Sequence, residues 1–434
     1  MLKRLLKKAG RPAGPRRKPA ATLTPRPVTL TELQQLIPIR NLPEEELRAF
    51  SLNQTTETYG AGSILFETGT SEDTVLYLLN GTVTMILGEN QEYEVVAGSA
   101  KSRFPLSHGD AHKATAVAKS DVEVLRVSAR VMHKNLVLDD DRLSRPENWD
   151  VPAWVRKTTL YQAFCQYLTD EETKLPMLPD IAVRLRRAID RDDIGIAEAA
   201  RIVQLDASVA ARLIQVANSP LYLAARPVTN CLEAVNRLGL KATCNLVMSL
   251  CLKDLFQCRD PRLRKRMQRI WRDGLHLSAL TYVLAKDNRW PDPEEALLAG
   301  LTCEIGAIPF LVFVSDFPRD HYTEEDLDRT LKAVLGPVGH YLLKTWGFAD
   351  ELTQVPLLAE AWHYDSGPEL TLSDLVMLSK LHHCMEQGQR DQVPMISAIP
   401  AGQKLRDGRL SPEYSLKVLH EAKTEIQETL ALLR

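Results

Sequence analysis

The hydrophobic pattern of this chain changes once along its length, and that change decides what it can fold into. From Glu57 to Val127, short runs rich in Thr, Val, Tyr and Leu are punctuated by Gly60, Gly62, Gly69, Gly81, Gly88 and Gly98, the pattern of short antiparallel strands joined by tight turns. Beyond Leu175 the strand-like alternation is gone. Apolar residues recur there at helical spacing, interrupted at Asn218-Ser219-Pro220, Gly239 and Pro291-Asp292-Pro293. The expected fold class is therefore multidomain α and β: an N-terminal β-barrel or jelly roll with flanking helices, then an all-α bundle. With 434 residues, 44% of them hydrophobic and 25% charged, the chain is long enough for two or three domains with substantial cores.

The boundaries follow from punctuation. LTELQQLIPIRNLPEEELRAF, at 30–50, spaces its leucines helically, with Pro43 opening a second short helix. Asp139-Asp140-Asp141 and SRPENWDVPAW break both periodicities and read as a connector that Trp149 and Trp154 pack onto a neighbour. Residues 152–168 resume a helix with Trp154, Leu160, Phe164 and Leu168 on one face. Asn218 is expected to close a helix in the left-handed conformation, with Pro220 preventing its continuation. The resulting division is a basic disordered tail at 1–28, a strand-rich domain at 29–140, a linker and connecting helix at 141–170, the bundle at 171–385 and a C-terminal helical segment at 386–434. Leu416, Leu419, Ile426, Leu430 and Leu433 of that last segment form a stripe expected to dock on the bundle.

A formal charge of -2 conceals an asymmetry, because residues 1–28 hold nine Lys or Arg and no acid. The tail is thus basic and the body acidic, which suits contact of the tail with a membrane surface or a nucleic acid. Apolar runs such as Ile308 to Val314 fall short of the roughly 20 residues that cross a bilayer, so no transmembrane segment is expected. MLKRLLKKAG lacks the apolar core of a secretory signal. The expected location is the cytoplasm. Seven cysteines without CxxC spacing argue against a disulfide framework and a zinc ribbon. Cys244, Cys251 and Cys258, at seven-residue steps, are expected on one buried helical face.

Within the strand-rich region, YGAGSILFETGTSEDTVLYLLNGTVTM carries Tyr59, Gly62, Phe66, Gly69, Asp73, Tyr77 and Gly81. That succession resembles the front half of the cyclic-nucleotide-binding domain family, and DVEVLRVSARVM at 121–132 resembles its last strand and exit helix. The resemblance covers roughly residues 30–140. It implies a ligand cassette in which a Gly-Glu pair opens a short helix and binds ribose, while a later Arg holds the cyclic phosphate. This chain reads AKSRFPLSHGDAHKATAVA there, with Lys101 and Ser102 near the Gly-Glu positions and His112 or Lys113 at the Arg position. The ribose-reading carboxylate is missing. Lys101, Arg103, His112 and Lys113 keep the segment basic, so the candidate ligand there is an anion, held by a degenerate set of Lys101, Ser102, Arg103, His112 and Lys113.

In the helical region LPMLPDIAVRL, IVQLDASVAARLIQVANSPLY and AVNRLGL, followed by IWRDGLHLSAL, ALLAGLTCEIG and GHYLLKTWGF, stand in an order that resembles the HDOD family, over roughly 170–385. The resemblance implies an HD-like helical bundle, related to phosphohydrolases that hold divalent metal with a first His, a His-Asp pair and a distal Asp. Here those positions fall at Asp273, at Cys303 and Glu304, and near Ser379 or Lys380. No imidazole remains at them. Zinc held by Asp273, Cys303 and Glu304 with His276, His340 or His363 is an alternative, set against the expectation that His276 faces elsewhere and His340 and His363 serve packing; adjacent His382 and His383 diverge by about 100° on a helix. No phosphate-binding Gly loop, GxSxG elbow or HExxH pair is present.

The expectation is a non-catalytic, bacterial-type cytoplasmic signalling adaptor without cofactor or metal, in which a degenerate cyclic-nucleotide-like sensor is coupled to a helical domain that binds protein partners. Two alternatives compete with it: a metal-dependent cyclic-dinucleotide phosphodiesterase of HD type, and a true cyclic-mononucleotide receptor.

Overall fold

A computed structural model describes residues 23–405, apart from 43, 89–90, 108–111, 113, 129–145, 147–148, 150, 171–174, 190–193, 220–221, 223–225, 259, 291 and 390–392. Most of the basic tail, the triple aspartate, Lys113 and the leucine stripe at 416–433 lie outside the described residues. The chain forms two compact units. One joins the segment up to Val137 with His363–Asp365 and Gly388–Gln403, and the other joins Leu138–Trp362 with Ser366–Gln387 and the segment from Lys404.

The first unit opens with helix α1 (Leu30–Leu33), whose N-terminus is closed by a capping box between Thr29 and Glu32, and helix α2 (Glu44–Asn53). Strands β1 (Glu57–Tyr59), β2 (Ile64–Phe66), β3 (Thr74–Asn80), β4 (Thr82–Gly88), β5 (Gln91–Val96), β6 (Thr115–Ala118) and β7 (Val122–Ser128) follow. They make two antiparallel sheets of jelly-roll type, in the orders β1-β7-β3 and β2-β6-β4-β5. Alternation along β3 explains the packing. Leu76 and Leu78 point into the core shared with Phe66, Val83, Met85 and Ala116, while Val75 and Tyr77 point the other way, into a second core with Leu33, Leu36 and Ile39. The three-stranded sheet is therefore buried on both faces, and the Tyr77 hydroxyl finds its partner by donating to the Ile37 carbonyl at 2.9 Å. At the β3–β4 turn Gly81 has φ 88°, and a Cβ there would lie 2.3 Å from the Asp121 carbonyl oxygen, so only glycine closes this turn.

The docking expected of the stripe at 416–433 lies outside the described residues. Gly388–Gln403 belongs to the first unit, with Val393, Ile396 and Ile399 buried.

The second unit is helical throughout its described residues. Helices α3 (Ala153–Arg156), α4 (Thr159–Thr169), α5 (Asp180–Ile189), α6 (Ile196–Val203), α7 (Ala207–Ala217), α8 (Cys231–Leu238) and α9 (Leu240–Leu252) lead to the long α10 (Pro261–Asp287). After it come α11 (Pro293–Thr302), α12 (Ala307–Asp316), α13 (Glu324–Thr345), α14 (Asp350–Thr353), α15 (Val355–Leu358) and α16 (Leu372–Glu386). Polar caps set the ends: Asp206 accepts from the Ser208 and Val209 amides at the start of α7, and Asp260 with Pro261 starts α10.

Four local expectations are corrected. Asn218 does follow the last residue of α7, but in right-handed backbone (φ -97°, ψ 0°); its side-chain amide instead pins the next loop through both backbone groups of Val228, at 2.7 and 2.8 Å. The 152–168 helix is two helices, because Thr158 caps α4 separately. Trp154 is thereby left 49% exposed, with the Arg329 guanidinium over its ring. Cys244 and Cys251 are buried on α9, but the helix ends at Leu252, so Cys258 joins a different core, around Trp149, Phe164 and Phe310. Finally, Pro293–Asp316 forms one stretch long and apolar enough to cross a membrane; 83% of its most apolar window is buried inside the protein, so its apolarity is that of a core element.

Gly306, between α11 and α12, sets how closely α13 approaches. A Cβ there would lie 2.2 Å from the Leu335 carbonyl oxygen and 2.6 Å from the Gly339 amide nitrogen. Gly306→Ala is expected to destabilise the protein by about 3 kcal/mol in denaturant titration, since backbone on both sides leaves no flexible group to yield. A second expectation concerns pH. His382, on α16, is 1% exposed, and burial holds its pKa down at about 4. The unfolded chain binds a proton near pH 6.5 that the fold refuses, so the stabilisation is complete above that pH and is lost as pH falls toward 4. Between about pH 7 and about pH 5 the loss assignable to His382 should be about 2 kcal/mol, seen as a flatter stability profile in His382→Leu.

Candidate functional site

The turn that joins α11 to α12 holds Cys303 and Glu304. Helix α11 starts at an Asp292 cap with Pro293 in its first turn and packs tightly on α10, where a Cβ on Gly300 would lie 2.6 Å from the Ser278 Cα. That approach carries the turn into the interior. Cys303 is 2% exposed, and its thiol donates to the Gly300 carbonyl. Burial pushes the thiol pKa up to about 12, so it is a small packed group rather than a nucleophile.

Glu304 meets a cation. The Lys380 ammonium on α16 lies 2.8 Å from Glu304 Oε1 and 3.0 Å from Glu360 Oε1, and the lysine side chain is 9% exposed. Burial alone would lower its pKa, but Glu304 and Glu360 hold it well above the ordinary value, so the ammonium is charged. Reciprocally, the Lys380 charge lowers the Glu360 carboxyl to about 2. Of the residues assigned above by resemblance to HD positions, Glu304 and Lys380 are thus in direct contact. Ser379, the other distal position, accepts from the Thr281 hydroxyl at 3.1 Å across the α10–α16 seam.

Asp273 lies along the same seam, 3.7 Å from His383 Nε2 and 3.7 Å from the exposed Arg269. Beside it, His276 Nε2 and Glu386 Oε2 are 2.7 Å apart. The sequence singles out Asp273, His276 and His383 separately, His383 only as a neighbour of His382, and does not single out Glu386. The available signal was the i, i+3 spacing of both pairs, which puts each on one helix face. His340 is used in packing, against the Thr353 carbonyl at 2.9 Å.

In the first unit, Lys101, Ser102 and Arg103 share one 3-10 turn, Ala100–Arg103. Pro105 lies two residues beyond that turn. Ser102 is buried and donates to the Ser99 carbonyl, the Lys101 ammonium lies 5.8 Å from the centre of the Tyr93 ring, and Arg103 is exposed. His112 is separate from them: it is buried, paired with the Ser107 hydroxyl and stacked on Phe66 at 4.1 Å. Burial lowers its pKa and favours the neutral ring. The cavity between Lys101, Tyr93, Phe104 and Met395 measures about 10 Å³, against several hundred for a typical small-molecule pocket. Of the described cassette residues, Ser102 and His112 are packed into the jelly roll.

Residues 175–361 match the profile of the HDOD domain. The chain is similar to the crystal structure of a candidate metal-dependent phosphohydrolase from Shewanella amazonensis SB2B, at 25% identity, 63% coverage of this chain, 99% of that one and a TM-score of 0.52. A cyclic nucleotide-binding-like protein from Brucella abortus is 22% identical over 24% of this chain and 94% of its own, with a TM-score of 0.21. A curated protein of Treponema pallidum, described as uncharacterized, is 23% identical over 272 residues, or 61% of this chain; the match spans 48% of that relative's length. Downstream of the two antiparallel sheets, residues 175–361 form an HDOD domain.

Proposed function

We propose that the chain is a non-catalytic signalling adaptor whose HDOD unit binds protein partners and whose jelly-roll unit modulates that binding. One observation carries the non-catalytic reading: the Lys380 ammonium lies between Glu304 and Glu360, where a hydrolase of HD type would need a divalent ion. An ammonium supplies charge but has no open coordination position, so it can neither acidify a bound water nor bridge two phosphate oxygens. Cys303 and Asp273 do not restore that chemistry, because the thiol is protonated and the carboxylate faces His383.

The regulatory half of the proposal is a coupling of binding free energies between the two units. The basic turn at Lys101 and Arg103 is the proposed contact for an anionic group, and the basic tail the contact for an anionic surface. A conventional cyclic nucleotide is disfavoured, since the ribose carboxylate is absent and His112 is stacked into the core.

The full-length protein, supplied with manganese and cyclic dinucleotides, should show no turnover above background; metal-dependent turnover abolished by Glu304→Gln would sink the adaptor reading. Lys380→Met should cost stability, on the order of 3 kcal/mol, by leaving Glu304 without its counter-charge, and should create no hydrolase. Calorimetry with cyclic AMP or cyclic GMP should show no saturable heat at micromolar concentrations. A binding curve removed by Lys101→Ala would restore the receptor alternative.

A further inference from the structure

Two i, i+3 pairs face each other across the α10–α16 seam. Asp273 and His276 lie one turn apart on α10, and His383 and Glu386 one turn apart on α16, so each pair projects from one face of its helix. His276, His383 and Glu386 each offer a ligand atom within 4.8 Å of the other two. The two imidazole rings have their centres 5.1 Å apart and are inclined at 48°. Asp273 Oδ1, at 3.7 Å from His383 Nε2, borders the same space.

We propose that His276, His383 and Glu386, with Asp273 completing the set, form a zinc-class divalent cation site that ties α10 to α16. Two imidazoles with carboxylates suit zinc better than magnesium or calcium, which take oxygen ligands. Zinc bonds of about 2.0–2.1 Å in a tetrahedron separate ligand atoms by roughly 3.3 Å, so the observed spacings close with side-chain shifts of about 1 Å. Accessibility is graded across the site: His383 is 14% exposed, His276 29% and Glu386 38%. An ion therefore has a route in from solvent, with one side of the site walled. Of the proposed ligands only Asp273 belongs to the positions assigned above by resemblance to the phosphohydrolases; His276, His383 and Glu386 do not. Lys380 precedes His383 by one turn of α16, and its charge is matched by Glu304 and Glu360; the exposed Arg269 guanidinium beside Asp273 is the other nearby cation.

Titration of the full-length protein with zinc, followed by calorimetry and thermal melting, tests this. One equivalent should bind and raise the melting temperature by mass action, and cobalt in its place should give visible absorption bands of a low-coordinate site. His383→Ala should weaken zinc binding by about tenfold or more, with Glu386→Gln, a change at an exposed position, as the variant that reports if His383→Ala does not fold. Glu304→Gln should leave zinc binding unchanged. Absence of saturable binding, or binding indifferent to both His383→Ala and Glu386→Gln, overturns the site. Zinc lost in Glu304→Gln but kept in His383→Ala also overturns it, and would place the ion at the phosphohydrolase position, against the adaptor reading. Zinc lost in His383→Ala and kept in Glu304→Gln supports the site and leaves the adaptor reading to its own turnover assay.

Discussion

The arrangement of the helical unit depends on one buried ammonium. Removing Lys380 from water costs several kcal/mol unless its charge is met at close range, and it is met twice, by Glu304 from the α11–α12 turn and by Glu360 just beyond α15. Three separate elements are thus referred to one point. The tight approach of Gly300 to α10 and of Gly306 to α13 brings the turn to that point, and the Thr281–Ser379 hydrogen bond fixes α16 beside α10.

Much of this could be read in the sequence, and what could not has identifiable reasons. Motif order singles out Cys303 and Glu304, because a turn with small residues at fixed offsets leaves a local signature, and points only to the neighbourhood of Ser379 or Lys380. Glu360 was invisible, since nothing local distinguishes a carboxylate that reaches a lysine across the bundle from one that faces water. Glu386 is a different case: its i, i+3 spacing from His383 puts both on one helix face, but nothing local shows that this face meets Asp273 and His276 on another helix. Errors at Trp154 and Cys258 arose from extending a periodic pattern through a break, where Thr158 caps a new helix and α9 ends at Leu252. Asn218 was placed correctly at a helix end but for an incomplete reason, since its work is done by the amide that holds Val228.

The strand-rich unit was legible from its glycines more than from its apolar residues. A sheet with one wet face alternates cleanly, whereas β3 and β7 are covered on both faces and read as continuous runs such as VLYLL and VEVL. The helices from 30 to 53 are what cover the second face, so they are part of the core and not an appendage.

The return of Gly388–Gln403 to the first unit has a consequence for biosynthesis. The sheets leave the ribosome early, but the strip carrying Val393, Ile396 and Ile399 emerges more than 200 residues later. Until then the first unit lacks one of its own pieces, and apolar surface that this strip covers in the finished protein stays open to water. Completion of the sensor-like unit is therefore tied to synthesis of nearly the whole bundle, and a nascent chain halted inside the HDOD domain would expose the defect at its opposite end, where a chaperone or protease could read it.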